Sequence, residues 1–108
     1  MTSKVKLKDI VYSNKSKIHG TGLFAKRKFK KGEYIGTYEG PQAKRNGMYV
    51  LWVYEEEDAD PIGRSGKNLL RYLNHSVTGN AEFDGFDLYA LKKINEHDEI
   101  TFDYKEFD

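Results

Sequence analysis

The strongest candidate for a functional site is the polar run that ends in Asn74, His75 and Ser76. These three residues directly follow an apolar cluster that contains Leu69 and Leu70. Polar side chains of these types are costly to bury unless their atoms find hydrogen-bond partners. A capped turn, in which Asn74 or Ser76 bonds to the backbone, would supply such partners. A polar ligand held in a cleft would supply them too. The run therefore predicts either a capped turn or a binding cleft for a polar ligand.

Two further segments contain residues that could take part in chemistry. The segment Gly20–Gly22 is by itself most simply a tight turn. The segment Asp98–Tyr104 is by itself an ordinary core strand with a surface tyrosine. The sequence contains no cysteine, which excludes disulfides, thiol catalysis and thiolate zinc sites, and it has neither a P-loop nor a Gly-x-Ser-x-Gly motif. The three histidines, at positions 19, 75 and 97, lack metal-ligand spacing, so no metal site is expected.

Short strands are the elements that must position these segments. Strand-forming runs recur about every ten residues with glycine-rich turns between them, whereas only Asn68–Leu73 favours one or two helical turns. The predicted strands are Ile10–Tyr12, Leu23–Ala25, Tyr34–Tyr38, Met48–Tyr54, Ala81–Phe83, Leu88–Leu91 and Ile100–Phe102. This pattern favours a mostly β, sandwich-like or barrel-like fold with little helix. Because no repeat or linker interrupts the chain, a single domain over residues 1–108 is expected.

Composition indicates a folded protein outside the membrane. Charged residues make up 32% of the 108 residues, but 14% aromatic residues argue against disorder. No apolar run approaches the ~20 residues that span a bilayer, and the first residues lack an apolar signal segment. We therefore expect an intracellular protein with no membrane partner.

The charges are distributed unevenly along the chain. Residues 1–31 hold 10 of the 18 Lys and Arg residues but only one acid, whereas residues 55–60 hold five carboxylates. An uneven solvated surface explains this most simply, but the acidic stretch could also attract a basic peptide. A nucleic-acid-binding barrel is another alternative. Because no aromatic residue is interleaved with Lys4, Lys6 and Lys8 as a stacking platform requires, direct nucleic-acid binding is not expected.

Taken in order, the segments resemble the SET domain of protein lysine methyltransferases. The matching parts are Gly20–Gly22, Arg71–Ser76 with Asn80 after it, and Glu99–Tyr104. The resemblance extends over residues 8–104 and implies several small, twisted sheets, with the C-terminal segment passing under a preceding loop as a pseudoknot. That topology would bring Asn74 and His75 next to Phe102–Tyr104. The cofactor and the substrate lysine would enter from opposite faces and meet in a narrow channel.

The resemblance also implies a chemistry and a role for individual residues. S-adenosylmethionine would donate a methyl group to a lysine side chain of a basic protein or peptide. Tyr104 matches the catalytic tyrosine and Tyr38 a second tyrosine of the channel. Phe102 matches the position that tunes how many methyl groups are added, and phenylalanine there implies di- or trimethylation. The positions that match cofactor-binding residues are Gly20, Thr21, Gly22, Tyr49, Arg71, Tyr72, Asn74 and His75.

The sequence departs from the family pattern at several points. Val77 and Gly79 replace the usual cysteine and proline, and Thr21 replaces a bulky aromatic residue. No cysteine-rich zinc module follows Tyr104, so the cover of the channel is expected from Phe107 or from a second subunit of a homodimer. The retained tyrosines favour an enzyme, whereas the missing cover favours a non-catalytic module that binds S-adenosylmethionine or a peptide. A histone substrate would imply the nucleus, or a host nucleus, and other substrates the cytoplasm.

Overall fold

The fold is built almost entirely from short strands, which confirms the mostly β prediction. A computed structural model of the chain describes residues 5–54, 56 and 59–104. Within these residues the helical structure is limited to the α-helical turn α1 (Leu7–Ile10) and one turn of 3₁₀-helix at Leu69–Tyr72. The strands are β1 (Val11–Lys15), β2 (Thr21–Ala25), β3 (Tyr34–Thr37), β4 (Gln42–Ala43), β5 (Val50–Val53), β6 (Ile62–Ser65), β7 (Asn74–His75), β8 (Ala81–Asp84), β9 (Asp87–Ala90) and β10 (Glu99–Phe102).

Strand β10 organises the larger of two sheets. That sheet has the order β1-β2-β10-β8-β9-β3, with β7 also paired to β10, and the smaller sheet has the order β4-β6-β5. Strand β10 runs parallel to β7, with Thr101 opposite Asn74 and Phe102 opposite His75. The predicted neighbourhood of Asn74 and His75 with Phe102 is therefore confirmed.

The loop between β7 and β8 passes close against the backbone of β10. The Ser76 N–H donates to the Phe102 carbonyl at 3.0 Å, and the Asn80 side chain both accepts from the Thr101 N–H and donates to a β10 carbonyl, each at 2.9 Å. A Cβ at position 79 would lie 2.7 Å from the Phe102 Cα, so only glycine fits there. Such a close passage is what the predicted pseudoknot requires.

A continuous apolar core supports the strands. Strand β9 illustrates its origin, because Leu88 and Ala90 are buried while Asp87 and Tyr89 alternate with them on the other face. The largest fully buried side chains are Phe29, Leu23, Ile35, Leu70, Leu88, Ile94, Ile100 and Val11.

Some predicted element boundaries were wrong. Ile10 ends helix α1 and not a strand, because a helical turn begins just before it: the Lys6 N–H donates to Asp9 Oδ2 at 3.3 Å, and the Asp9 N–H donates to the Lys6 carbonyl at 2.9 Å. Strand β6 was missed because Pro61 and Gly63 lower the strand propensity of its sequence, although β5 pairs with it over its full length. Within the acidic stretch, positions 55, 57 and 58 lie outside the described residues.

Candidate functional site

Two cavities meet at the C-terminal end of β10. The larger has a volume of about 910 Å³ and the smaller about 550 Å³. Six of the predicted site residues line the larger cavity: Tyr38, Tyr49, Arg71, His75, Phe102 and Tyr104. The smaller cavity has Trp52 and Glu82 on its own side and shares Phe83, Phe102 and Tyr104 with the larger one. Groups bound in the two cavities would therefore meet across the same aromatic residues.

The shared boundary belongs to an aromatic wall formed by Tyr38, Phe83, Phe102 and Tyr104. Successive ring centroids are 6.0, 5.2 and 6.1 Å apart, and successive ring planes are nearly perpendicular, at 86°, 89° and 83°. Edge-to-face rings at these distances attract one another and hold each ring in place. Phe83 was not predicted as a site residue, because an aromatic residue on the predicted strand Ala81–Phe83 is most simply a core residue.

Tyr38 forms the buried end of the aromatic wall. Its side chain is 6% exposed, and its hydroxyl donates a hydrogen bond to the Tyr49 carbonyl. Burial raises the pKa of Tyr38 to about 12, which outweighs the opposite effect of the nearby Arg71 charge. The hydroxyl is therefore protonated at neutral pH, and its proton is directed at the backbone.

The other end of the wall is held through His75. The backbone N–H of Tyr104 donates to Nδ1 of His75 at 3.0 Å, and Asp103 Oδ1 lies 3.9 Å from the same nitrogen. Because Nδ1 accepts this bond, a neutral His75 ring carries its proton on Nε2. The His75 side chain thus fixes the main chain at Tyr104. The resemblance predicted that these two residues are neighbours, but not this hydrogen bond.

Arg71 brings a positive charge to the wall of the larger cavity. Its guanidinium donates to the carbonyls of Lys67 and Asn68 at 2.8 and 3.0 Å and to the Tyr72 hydroxyl at 2.6 Å. Tyr72 does not itself line the cavity, and its ring packs edge-on to Tyr49 at 6.3 Å. Tyr72 therefore packs outside the cavity against two residues that line it, Arg71 and Tyr49.

Two of the remaining predicted residues, Gly22 and Asn74, lie in a separate group, the Glu99 cluster, which consists of Ser16, Gly22, Asn74 and Glu99. Ser16 Oγ donates to the Glu99 carboxylate at 2.8 Å, and Asn74 Nδ2 donates to it at 3.0 Å. A Cβ at position 22 would lie 2.4 Å from Glu99 Oε2, so any larger residue there would displace the Glu99 carboxylate.

The Glu99 cluster joins the predicted glycine loop to Asn74. The Asn74 amide nitrogen also donates to the His19 carbonyl at 3.0 Å and lies 3.4 Å from that of Thr21. Gly20, at the start of this loop, has a left-handed φ of +45°. None of the cluster residues lines the larger cavity. The cluster is linked to the cavity wall by the peptide bond that joins Asn74, a cluster residue, to His75, a lining residue. Ser16 and Glu99 were not predicted as site residues, although Glu99 begins the matched run Glu99–Tyr104.

Neither a metal cluster nor a membrane-spanning helix is found among residues 5–54, 56 and 59–104. In this part of the chain no group of three or more His, Cys, Asp or Glu side chains is placed to hold a metal ion. No helix there is long and apolar enough to cross a bilayer.

Solved structures that share this fold include two that are named as methyltransferases. The methyltransferase domain of human PR domain-containing protein 2 superposes with a TM-score of 0.68 at 22% identity, over 91% of this chain and 78% of that one. The Plasmodium falciparum putative histone methyltransferase superposes with a TM-score of 0.67 at 22% identity, over 91% of this chain and 95% of that one. At these identities the likeness establishes the fold.

Curated relatives give the sequence-level comparison. The chain is 29% identical to "Histone-lysine N-methyltransferase trr" of Drosophila melanogaster, over 88% of this chain and 5% of that protein. It is 30% identical to "Histone-lysine N-methyltransferase 2B" of Homo sapiens, over 91% of this chain and 4% of that protein. The chain thus spans only a small fraction of the length of these relatives. The model of the SET domain matches residues 20–105, which is most of the chain. This chain belongs to the SET-domain family.

Proposed function

We propose that this chain is an S-adenosylmethionine-dependent protein-lysine methyltransferase that acts on a basic protein or peptide. The observation that carries the proposal is the meeting of two cavities at Phe102 and Tyr104. Methyl transfer needs a donor and an acceptor brought together in line and shielded from water, and little acid–base machinery. The names of the curated relatives, histone-lysine N-methyltransferases, make a lysine-rich protein such as a histone the first substrate to test.

The residues of the larger cavity and the Glu99 cluster fit the cofactor. The volume of the larger cavity, about 910 Å³, lies within the range of small-molecule sites, roughly 300–1,000 Å³. Asn74 Nδ2 is engaged by the His19 carbonyl and Glu99, which leaves its Oδ1 to accept from the cofactor ammonium group. Arg71 offers a positive charge for the carboxylate, and the main chain at Gly20–Gly22 allows close approach. When bound, S-adenosylmethionine supplies an activated methyl group.

The smaller cavity suits the substrate lysine. Its lining combines Trp52, Phe83 and Phe102 with the carboxylates of Glu82 and Asp103. The carboxylates attract a lysine ammonium, and the rings stabilise a methylated ammonium by cation–π attraction. At the shared wall, the Tyr104 hydroxyl orients the amine after the amine has lost its proton to solvent.

The absence of hydroxyl groups on Phe83 and Phe102 supports repeated methylation. A hydroxyl at either ring would hydrogen-bond the amine or a water molecule and so restrict the space for a methylated nitrogen. Phenylalanine at both positions leaves that part of the wall apolar. We therefore propose di- or trimethyl-lysine as the product, with a nuclear or cytoplasmic location that follows from the substrate.

The experiment compares wild type, Tyr104→Phe and the matched control Tyr12→Phe on a lysine-rich peptide. Tyr12 is a suitable control because its hydroxyl bonds to His97 at 2.9 Å and it lines neither cavity. Tyr104→Phe should lower kcat by about 10²–10⁴-fold. The dissociation constant of S-adenosylhomocysteine, measured by calorimetry, should be nearly unchanged in both variants.

Two results would contradict the proposal. Full activity of Tyr104→Phe would show that Tyr104 only packs against Phe102. Wild-type protein that binds the cofactor but methylates no lysine-rich protein in a broad panel would instead support a non-catalytic binding module.

A further inference from the structure

We propose that a second surface of this protein binds the phosphate backbone of duplex DNA. This surface, the lysine patch, consists of the exposed residues Lys28, Lys30, Lys31, Lys92 and Lys93. None of them lines either cavity. The proposal does not depend on methyl transfer, because it concerns a separate face of the molecule and a separate ligand.

Two backbone contacts hold the segments of the lysine patch side by side. Phe29 and Ile94 form an antiparallel bridge and exchange hydrogen bonds of 2.8 and 2.9 Å, and the Gly32 N–H donates to the Ala90 carbonyl at 2.7 Å. Lys30 and Lys31 lie between these two contacts on the first segment, and Lys92 and Lys93 lie between them on the second. The fold therefore gathers four lysines, distant in sequence, into one place.

The buried bridge also directs lysines outward. Phe29 and Ile94 have no exposed surface, so in an extended chain the residues next to them point to the opposite side. Lys28 and Lys30 flank Phe29, and Lys93 precedes Ile94. Antiparallel pairing puts Lys30 and Lys93 across from each other, an arrangement of like charges that is destabilising in the free protein. A bound polyanion would relieve this repulsion.

The acids near the lysine patch have other partners. The Glu33 carboxylate accepts from Arg27 at 2.7 Å and from the backbone N–H of Lys30 at 2.9 Å. The hydrogen bond from Arg27 is the largest of the effects that lower the pKa of Glu33, so this anion mainly balances Arg27. Glu96 lies 3.6 Å from His97, and Asp98 accepts from the Asn95 N–H.

The patch consequently presents uncompensated charge. No ion pair involving a patch lysine is present among the residues that the structure describes.

Duplex DNA is the polyanion that fits this surface best. A duplex carries about one negative charge per 1.7 Å of its axis and can be bound through lysine–phosphate contacts alone. Single strands are usually bound through exposed aromatic side chains on which bases stack, and Phe29, which lies between Lys28 and Lys30, is fully buried. Nucleic-acid binding was not expected from the sequence because no aromatic residue for base stacking is interleaved with Lys4, Lys6 and Lys8. Backbone binding by the lysine patch has no such requirement.

The test measures binding of a fluorescein-labelled duplex of random sequence by anisotropy at several salt concentrations. Five phosphate contacts predict that affinity falls about 500-fold between 50 and 200 mM salt. The double variant Lys30→Gln/Lys93→Gln should lose two contacts, and its affinity should fall only about 40-fold over the same range. The control Lys17→Gln/Lys44→Gln removes the same charge from exposed lysines outside the patch and should behave as wild type.

Several outcomes would overturn the proposal. These are wild-type binding that is absent or independent of salt, equal losses in the patch and control variants, or tighter binding of single-stranded DNA or polyglutamate than of the duplex. Methylation of a free peptide by the patch variant should equal that of wild type. A failure of duplex binding can therefore be told apart from a failure of the proposed enzyme activity.

Discussion

Replacing Glu99 with glutamine should weaken both the fold and cofactor binding, although Glu99 lines neither cavity. The Glu99 carboxylate accepts from Ser16 Oγ at 2.8 Å and from Asn74 Nδ2 at 3.0 Å. Glutamine keeps one acceptor oxygen and turns the other position into a donor. Oε2 accepts from both Ser16 Oγ and Asn74 Nδ2, at 2.9 and 3.0 Å, so an amide oxygen in that position keeps both bonds but without the negative charge. The NH₂ group then replaces Oε1, which accepts from Ser16 Oγ at 2.8 Å.

The size of the effect follows from these contacts. A hydrogen bond to a charged group contributes about 1.5–3 kcal/mol, so the free energy of unfolding should fall by about that amount. Because Asn74 then donates to a neutral acceptor and is held less firmly, fixing its side chain when the cofactor binds costs about 0.5–1.5 kcal/mol. That cost corresponds to a loss in affinity of about twofold to tenfold.

Urea denaturation gives the stability, and calorimetry with S-adenosylhomocysteine gives the affinity. Glu96→Gln is the matched control, because Glu96 is exposed and lies 3.6 Å from His97 at the surface. Ser16→Ala removes one donor from the same carboxylate and should reproduce part of the loss. Unchanged stability and affinity in Glu99→Gln would refute the role of the Glu99 cluster in holding Asn74.

Three further predictions concern the loop over β10 and the aromatic wall. Gly79→Ala would put a methyl group 2.7 Å from the Phe102 Cα and should lower the free energy of unfolding in urea by about 1–3 kcal/mol; wild-type stability would mean that the loop yields without strain. Phe102→Tyr should shift the product towards monomethyl-lysine in mass spectra, and a wild type that stops at monomethyl-lysine would contradict this reasoning. Because burial raises the Tyr38 pKa from 10.0 to about 12, its contribution to stability is present below pH 10 and is lost as the pH rises towards 12. Tyr38→Phe should remove that part of the loss of stability at alkaline pH. Identical pH profiles of the free energy of unfolding in wild type and Tyr38→Phe would contradict this prediction.

Much of the site could be predicted because its residues form continuous motifs. Asn74 and His75 stand in one run and Phe102 and Tyr104 in another, and the register of β7 with β10 places the two runs together as expected. The mostly β fold could likewise be predicted from the spacing of apolar runs and glycine-rich turns.

The supporting contacts could not be predicted, because each joins residues far apart in the chain. Ser16 and Glu99 are separated by 83 positions, and His75 Nδ1 reaches the backbone of Tyr104 across 29. Neither contact leaves a periodic pattern in the sequence. Phe83 was missed for a different reason: an aromatic residue on a half-buried strand is most simply a core residue, and only the two cavities on either side of it indicate a further role.

Mass spectrometry of a lysine-rich peptide incubated with the protein and S-adenosylmethionine tests the central claim most directly. We predict that wild type adds up to two or three methyl groups to a lysine and that Tyr104→Phe adds almost none, while both bind S-adenosylhomocysteine equally. Methylation by Tyr104→Phe at the wild-type rate, or no methyl transfer by a wild type that binds the cofactor, would contradict the claim that Tyr104 and the aromatic wall perform lysine methylation.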